Sequence, residues 1–162
     1  MDREMEREVW QRVRGPEHPN AAQALLPERL ERLILEQQID AGTLRQLSGR
    51  LRGPERTSVA RMAAELENRV RSLTTLHYLL TGRRLRLKAP QPPLSADLPQ
   101  AIREQYFRQQ QTARELSGLG RDFSDYAGRF AEMERDARRN SRLLADILEG
   151  KLPTADRPHQ KR

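Results

Sequence analysis

The chain has no cysteine. That excludes a disulfide scaffold, a zinc-thiolate centre and a thiol nucleophile. Aromatic residues make up only 4% of the 162 residues, so a core must rest on Leu, Ile, Val, Ala and Met. Histidine is scarce too, with only His18, His77 and His159. No apolar run approaches the ~20 residues a membrane-crossing helix needs. The opening "MDREMEREVWQRVRG" lacks an apolar signal core, which points to a cytoplasmic protein of bacterial type. No glycine-rich phosphate loop and no Ser-His-Asp set is present, so no catalytic residue is assigned.

Charge is abundant by contrast. Charged residues are 33% of the chain and the formal net charge is +7. Of the 30 basic residues, 27 are arginine. A basic balance permits nucleic acid or an acidic partner. Asp and Glu are nonetheless interleaved almost throughout, which describes a solvated surface. The densest acid-free basic run is "TGRRLRLK", with Arg83, Arg84, Arg86 and Lys88. It is a possible contact patch for phosphates, although no aromatic stacking platform accompanies it.

Apolar periodicity predicts helices. Residues 1–14 form a short amphipathic helix, with Trp10 as a clamp over the bundle or a partner contact. Residues 15–26 are a turn-rich linker, and Pro27 suits a first helical position. Leu30, Ile34, Gln37, Ala41, Leu44, Leu47 and Leu51 then recur at helical spacing. After a break at "RGP", Val59, Met62, Leu66, Arg69, Leu73, Leu76 and Leu80 repeat the pattern, and Gly82 is the expected C-terminal cap. Residues 27–82 thus make a first helical hairpin. A basic and proline-rich connection, 83–97, carries no helix. Residues 98–150 make a second hairpin. Its first helix, from about Leu98 to Gly118, turns Ile102, Tyr106, Gln109, Ala113 and Leu116 inward. The turn is "GLGRD" (118–122), and the second helix carries Phe123, Tyr126, Phe130, Met133, Ala137, Asn140, Leu144 and Ile147. Residues 151–162 are a polar tail expected to be disordered.

The middle connection decides topology. Its ~15 residues reach ~45 Å in extended form, and a helix of ~22 residues is only ~33 Å long. The expectation is an all-α, ferritin-like four-helix bundle with one long crossover. An up-down bundle with an over-long loop is the alternative.

Four inward positions are polar: Gln37, Arg69, Gln109 and Asn140, one per helix. Three readings stay open for the amides. They gather in one buried layer and satisfy one another, each sits at the boundary and faces solvent, or they belong to some other polar site. Lone buried polar groups would cost roughly 1–3 kcal/mol each.

The segments "RSLTTLHYLLTG" (71–82) and "ARRNSRLLADIL" (137–148) resemble the ends of the second and fourth helices in bacterial rubrerythrin-type members of the ferritin-like superfamily. The resemblance spans about residues 29–148. It implies a carboxylate on each hairpin's first helix and a Glu-x-x-His pair on each second helix, together holding two iron or manganese ions. In this chain Gln37 stands at the first carboxylate position. Leu66 and Arg69 stand at the first Glu-x-x-His, Gln109 at the third-helix carboxylate, and Ala137 and Asn140 at the last Glu-x-x-His. None of six ligands survives. A one-residue slip brings Glu36, Glu65 or Glu67 into play, and Glu104, Glu132 and Glu134 complete a possible carboxylate set, but no slip supplies a histidine. Arg69 is expected to neighbour Glu36 or Glu134, with its guanidinium turned outward.

The expected function is a non-catalytic rubrerythrin-like bundle with a degenerate metal site, without cofactor, acting as a structural or interaction module. Its partner is a second copy or another protein. One alternative is a metal-storage protein or oxidoreductase using iron or manganese on the shifted carboxylates. The other is a basic nucleic-acid-associated protein.

Overall fold

The computed structural model describes residues 17–150, with side chains from residue 25 onward. The expected N-terminal helix with Trp10 and the tail at 151–162 lie outside the described residues. Four α-helices follow one another: α1 (Glu17–Arg50), α2 (Gly53–Thr81), α3 (Leu98–Asp122) and α4 (Ala127–Leu148). A single 3-10 turn, Ser124–Tyr126, precedes α4. No strand occurs among the described residues.

The helix ends follow local chemistry. Pro54 and Pro99 lie in the first turns of α2 and α3, where a missing N–H leaves nothing unpaired. Gly82 closes α2 as expected. It adopts φ 69°, and its N–H donates to Tyr78 O at 2.7 Å. That left-handed conformation suits glycine, which has no Cβ to clash.

Two expected boundaries are corrected. The helix does not start at Pro27, and residues 17–26 of the predicted linker are helical, with Pro27 inside α1. Leu26 and Leu30, one turn apart, are both buried in the same apolar cluster, so packing on each side of Pro27 offsets the one backbone hydrogen bond it forfeits. The predicted turn at 118–122 is likewise helical, and the chain reverses only at Phe123. Continuing α3 buries Leu119 and Phe123, which outweighs the helix-breaking tendency of Gly118 and Gly120. Leu80, expected inward, is largely exposed, because it lies beyond the last buried turn of α2.

Cross-helix pairs give the directions. On α1 and α2, Arg45 meets Glu67, Gln37 meets Arg69, and Glu31 meets His77. These helices are antiparallel. On α1 and α3, Arg29 meets Asp122, Gln37 meets Thr112, and Asp40 meets Arg108. Those are antiparallel as well.

The helix-free stretch after Gly82 is pinned at both ends. Leu85 and Leu87 pack on one apolar cluster, and Leu94 packs on the other. Near its end the Arg50 guanidinium donates to the carbonyls of Ser95 and Ala96. Midway, the Gln91 side-chain amide lies over Gly42, where a Cβ would fall 2.0 Å from Gln91 Oε1.

The core is divided in two. One cluster joins Leu26, Leu30, Ile34, Leu73, Leu116 and Phe130. The other joins Leu44, Leu47, Met62, Leu66, Ile102 and Leu144. Each fully buried aliphatic side chain contributes roughly 1.5–3 kcal/mol.

Candidate functional site

The two clusters are separated by a polar layer. On α1, Gln37 lies between Ile34 of one cluster and Ala41 of the other. On α2, Arg69 lies between Leu66 and Leu73. On α3, Gln109 lies between Ile102 and Ala113, and on α4 Asn140 lies between Ala137 and Leu144. Every helix therefore interrupts its apolar stripe at one level of the bundle. Gln37 and Gln109 are 0% exposed, Asn140 1% and Arg69 5%. The amides do not face solvent. Leu66 and Ala137 are also fully buried, so all six positions singled out by the resemblance are interior.

Half of the layer is hydrogen-bonded. Arg69 Nη1 donates to Gln37 Oε1 at 2.7 Å, and Gln37 Nε2 donates to Thr112 Oγ1 at 3.1 Å. The Gln37 amide is thus held from both ends. The other half is not satisfied. Among the described residues neither side-chain polar atom of Gln109 has a partner, nor does Asn140 Nδ2. Mutual satisfaction therefore covers Gln37 but not Gln109.

Arg69 is placed differently from the expectation. It is buried rather than turned outward, and Gln37 rather than Glu36 or Glu134 is its contact. Burial pulls its guanidinium below the usual arginine range, against the opposing influence of Asp136 and Glu65. A hydrogen bond to a neutral amide and carboxylates at longer range hold it in place.

The shifted carboxylates do not converge. Glu67 pairs with Arg45 at 2.9 Å, Glu65 with Arg139 at 3.2 Å and Glu134 with Arg138 at 2.8 Å. Glu104 accepts from Gln100 on its own helix, and Glu132 lies on the wall of a cleft between α2 and α4. Among the described residues, no three His, Cys, Asp or Glu side chains gather where a metal could be held. His77 instead packs against Glu31, with Nε2 to Oε1 at 2.9 Å.

Glu36 belongs to an acidic site on the α1–α3 face, with Glu115 and, one turn along, Asp40. Burial, with the Glu36 carboxyl beside it, pushes Glu115 up to about 6. One turn along α1, the buried Asp40 receives both Nε and Nη2 of Arg108, at 3.1 and 3.2 Å. Desolvation nevertheless raises the Asp40 pKa above its usual value. The signal was present in the sequence, since Asp40 follows Gln37 by three residues on the same stripe.

The basic run is outward. Arg83, Arg84, Arg86 and Lys88 are exposed, while Leu85 and Leu87 between them are partly buried. This alternation is that of an extended chain with one face on the core. The four side-chain cations have no ion-pair partner among the described residues.

No helix among the described residues is long and apolar enough to cross a membrane. No family model, curated protein or solved structure matches this chain.

Proposed function

We propose that the chain is a ferritin-like bundle of the rubrerythrin type that no longer carries a di-metal site and serves as a non-catalytic structural or protein-interaction module. The connectivity supports the first part. With α1 antiparallel to both α2 and α3, α2 and α3 run parallel. The stretch from Gly82 to Leu98 then acts as the long crossover of such folds.

The observation that carries the second part is the layer itself. All six positions where the resemblance expects metal ligands are buried, and their chemistry does not fit a metal. Leu66 and Ala137 offer no donor atom. Gln37, Gln109 and Asn140 are neutral amides, and Arg69 brings a positive charge next to Gln37 at 2.7 Å. Two divalent ions need anionic or imidazole ligands to offset their charge, and a buried guanidinium repels them.

The test is elemental analysis of protein expressed in medium supplemented with iron and manganese, then dialysed against a chelator. The expected content is well below one metal per chain. About one or more tightly held ions per chain would restore the metal-storage or redox reading.

The exposed run Arg83, Arg84, Arg86 and Lys88 favours a second reading, contact with nucleic acid. Ordinary nonspecific duplex binding lies near ~10⁻⁴–10⁻⁶ M at physiological salt. Submicromolar binding lost in the Arg83→Ala/Arg84→Ala/Arg86→Ala variant would make this the principal function.

A further inference from the structure

A buried charge is normally matched by an opposite charge in contact with it, because desolvating an isolated ion is costly. Arg69 departs from that rule. It is 5% exposed, yet no described carboxylate lies within ion-pair distance of it. Its one side-chain hydrogen bond among the described residues is to the neutral Gln37, through Nη1, with Asp136 and Glu65 acting only at longer range. The rest of the guanidinium fork is left for something else.

What borders it is a cleft of about 400 Å³ between α2 and α4. Three further donors line this cleft: Asn68, Ser72 and Arg129. Asn68 Oδ1 already accepts from Arg71, so its amide NH₂ remains available. Arg129 has no ion-pair partner among the described residues. Acidic groups bound the charge the cleft accepts. Glu65 and Asp136 are both matched by Arg139, at 3.2 and 3.3 Å, and Glu132 stands on the same wall. Glu65, Glu132 and Asp136 set three negative charges against Arg69, Arg129 and Arg139, so a dianion such as phosphate is disfavoured more strongly than a monoanion.

We propose that the α2–α4 cleft binds a small monocarboxylate, with Arg69 as the anchoring cation and Asn68 and Ser72 as additional donors. A planar carboxylate matches the planar guanidinium fork, so Arg69 engages it through two parallel N–H bonds. Gln37, itself held by Thr112, fixes the fork from behind. The site stands whether or not the chain is ferritin-like, because it rests on an unmatched buried arginine and the cleft beside it.

The test is titration of ¹⁵N-labelled protein with sodium acetate, at ionic strength held constant with sodium chloride, while following the arginine Nε–H resonances. Arg69→Met identifies the Arg69 signal, and Arg69→Lys identifies it if the first variant does not fold. The Arg69 resonance is expected to move saturably, with a midpoint of about 1–10 mM. Wild-type thermal midpoint is expected to rise by about 5 °C at tenfold saturation, and this rise disappears in the folded Arg69 variant. Replacing acetate with N-acetyl-glutamate amide separates sources. A stronger response to it identifies a partner's acidic side chain, and a stronger response to acetate identifies a free acid. An unmoved Arg69 resonance overturns the proposal. So does an equal response to sodium phosphate, or a thermal shift unchanged by loss of Arg69.

Discussion

Arg69 of α2 reaches Gln37 of α1 with Nη1 and Oε1 2.7 Å apart, both residues being withdrawn from solvent. A charged donor on a neutral acceptor in the middle of a bundle is a coupled unit. Removing the acceptor leaves a buried cation without its contact, and removing the cation leaves an amide still held by Thr112. Gln37→Leu alone is therefore expected to destabilise by about 2–3 kcal/mol, the worth of a hydrogen bond to a charged group. Arg69→Met is expected to cost less, because an apolar chain of similar volume removes the desolvated charge. The double variant should be more stable than the sum of the singles by about 1–2 kcal/mol. Urea denaturation of the four proteins measures this. Strict additivity would show that the pair is not coupled.

Gln109 behaves differently, because neither end of its buried amide has a partner among the described residues. Gln109→Leu removes an unsatisfied group and keeps the volume, so it is expected to stabilise by about 1–2 kcal/mol. A loss of stability in urea would mean that the amide has a partner in solution.

The apolar spacing made much of this layer legible in the sequence. Gln37, Gln109 and Asn140 stand out because each replaces an apolar residue on an otherwise regular stripe, and all are buried. What pairs with what was not legible. Thr112 and Gln109 are three residues apart on α3, and only the packing angle of α1 decides that Thr112 receives Gln37. Asp40 was passed over because a carboxylate in a charged helix looks like surface, whereas its burial depends on Arg108 from another helix. The helical stretch upstream of Pro27 was missed for a related reason. A proline marks a boundary locally, and only the tertiary packing of Leu26 shows that the helix continues.

The burial of Glu115 beside Glu36 makes stability depend on pH. It pushes the Glu115 carboxyl up to about 6 in the folded protein, above its ordinary value of 4.5. The protonated form is favoured by folding, so this contribution is fully present below about pH 4.5 and is lost as pH rises through 6. The opposing charges of Arg32 and Arg108 limit it. Solvent screening of this half-exposed group keeps it within about 1 kcal/mol. Glu115→Gln should remove the loss, so the variant gains on wild type between pH 4.5 and 7. Thermal melts across that range check the sign. A gain below pH 4.5 instead would contradict it.

The helix-free stretch between Gly82 and Leu98 gives a covalent test, helped by the absence of native cysteine. Gly42 and Gln91 approach so closely that a Cβ on Gly42 would overlap the Gln91 amide. The Gly42→Cys/Gln91→Cys variant is expected to be joined within one chain by a short thiol-to-thiol cross-linker, seen by mass spectrometry of a tryptic digest. Linkage only between separate chains would show that this stretch does not lie on α1.

The central claim is that six buried positions are a former ligand set. Its most direct test is to rebuild that set, with Gln37→Glu, Leu66→Glu, Arg69→His, Gln109→Glu, Ala137→Glu and Asn140→His in one chain. Without metal, four buried carboxylates should destabilise the bundle strongly. Iron or manganese should then bind, about two ions per chain, and raise the melting temperature by linkage. A rebuilt chain that folds but gains neither metal nor stability would contradict the account.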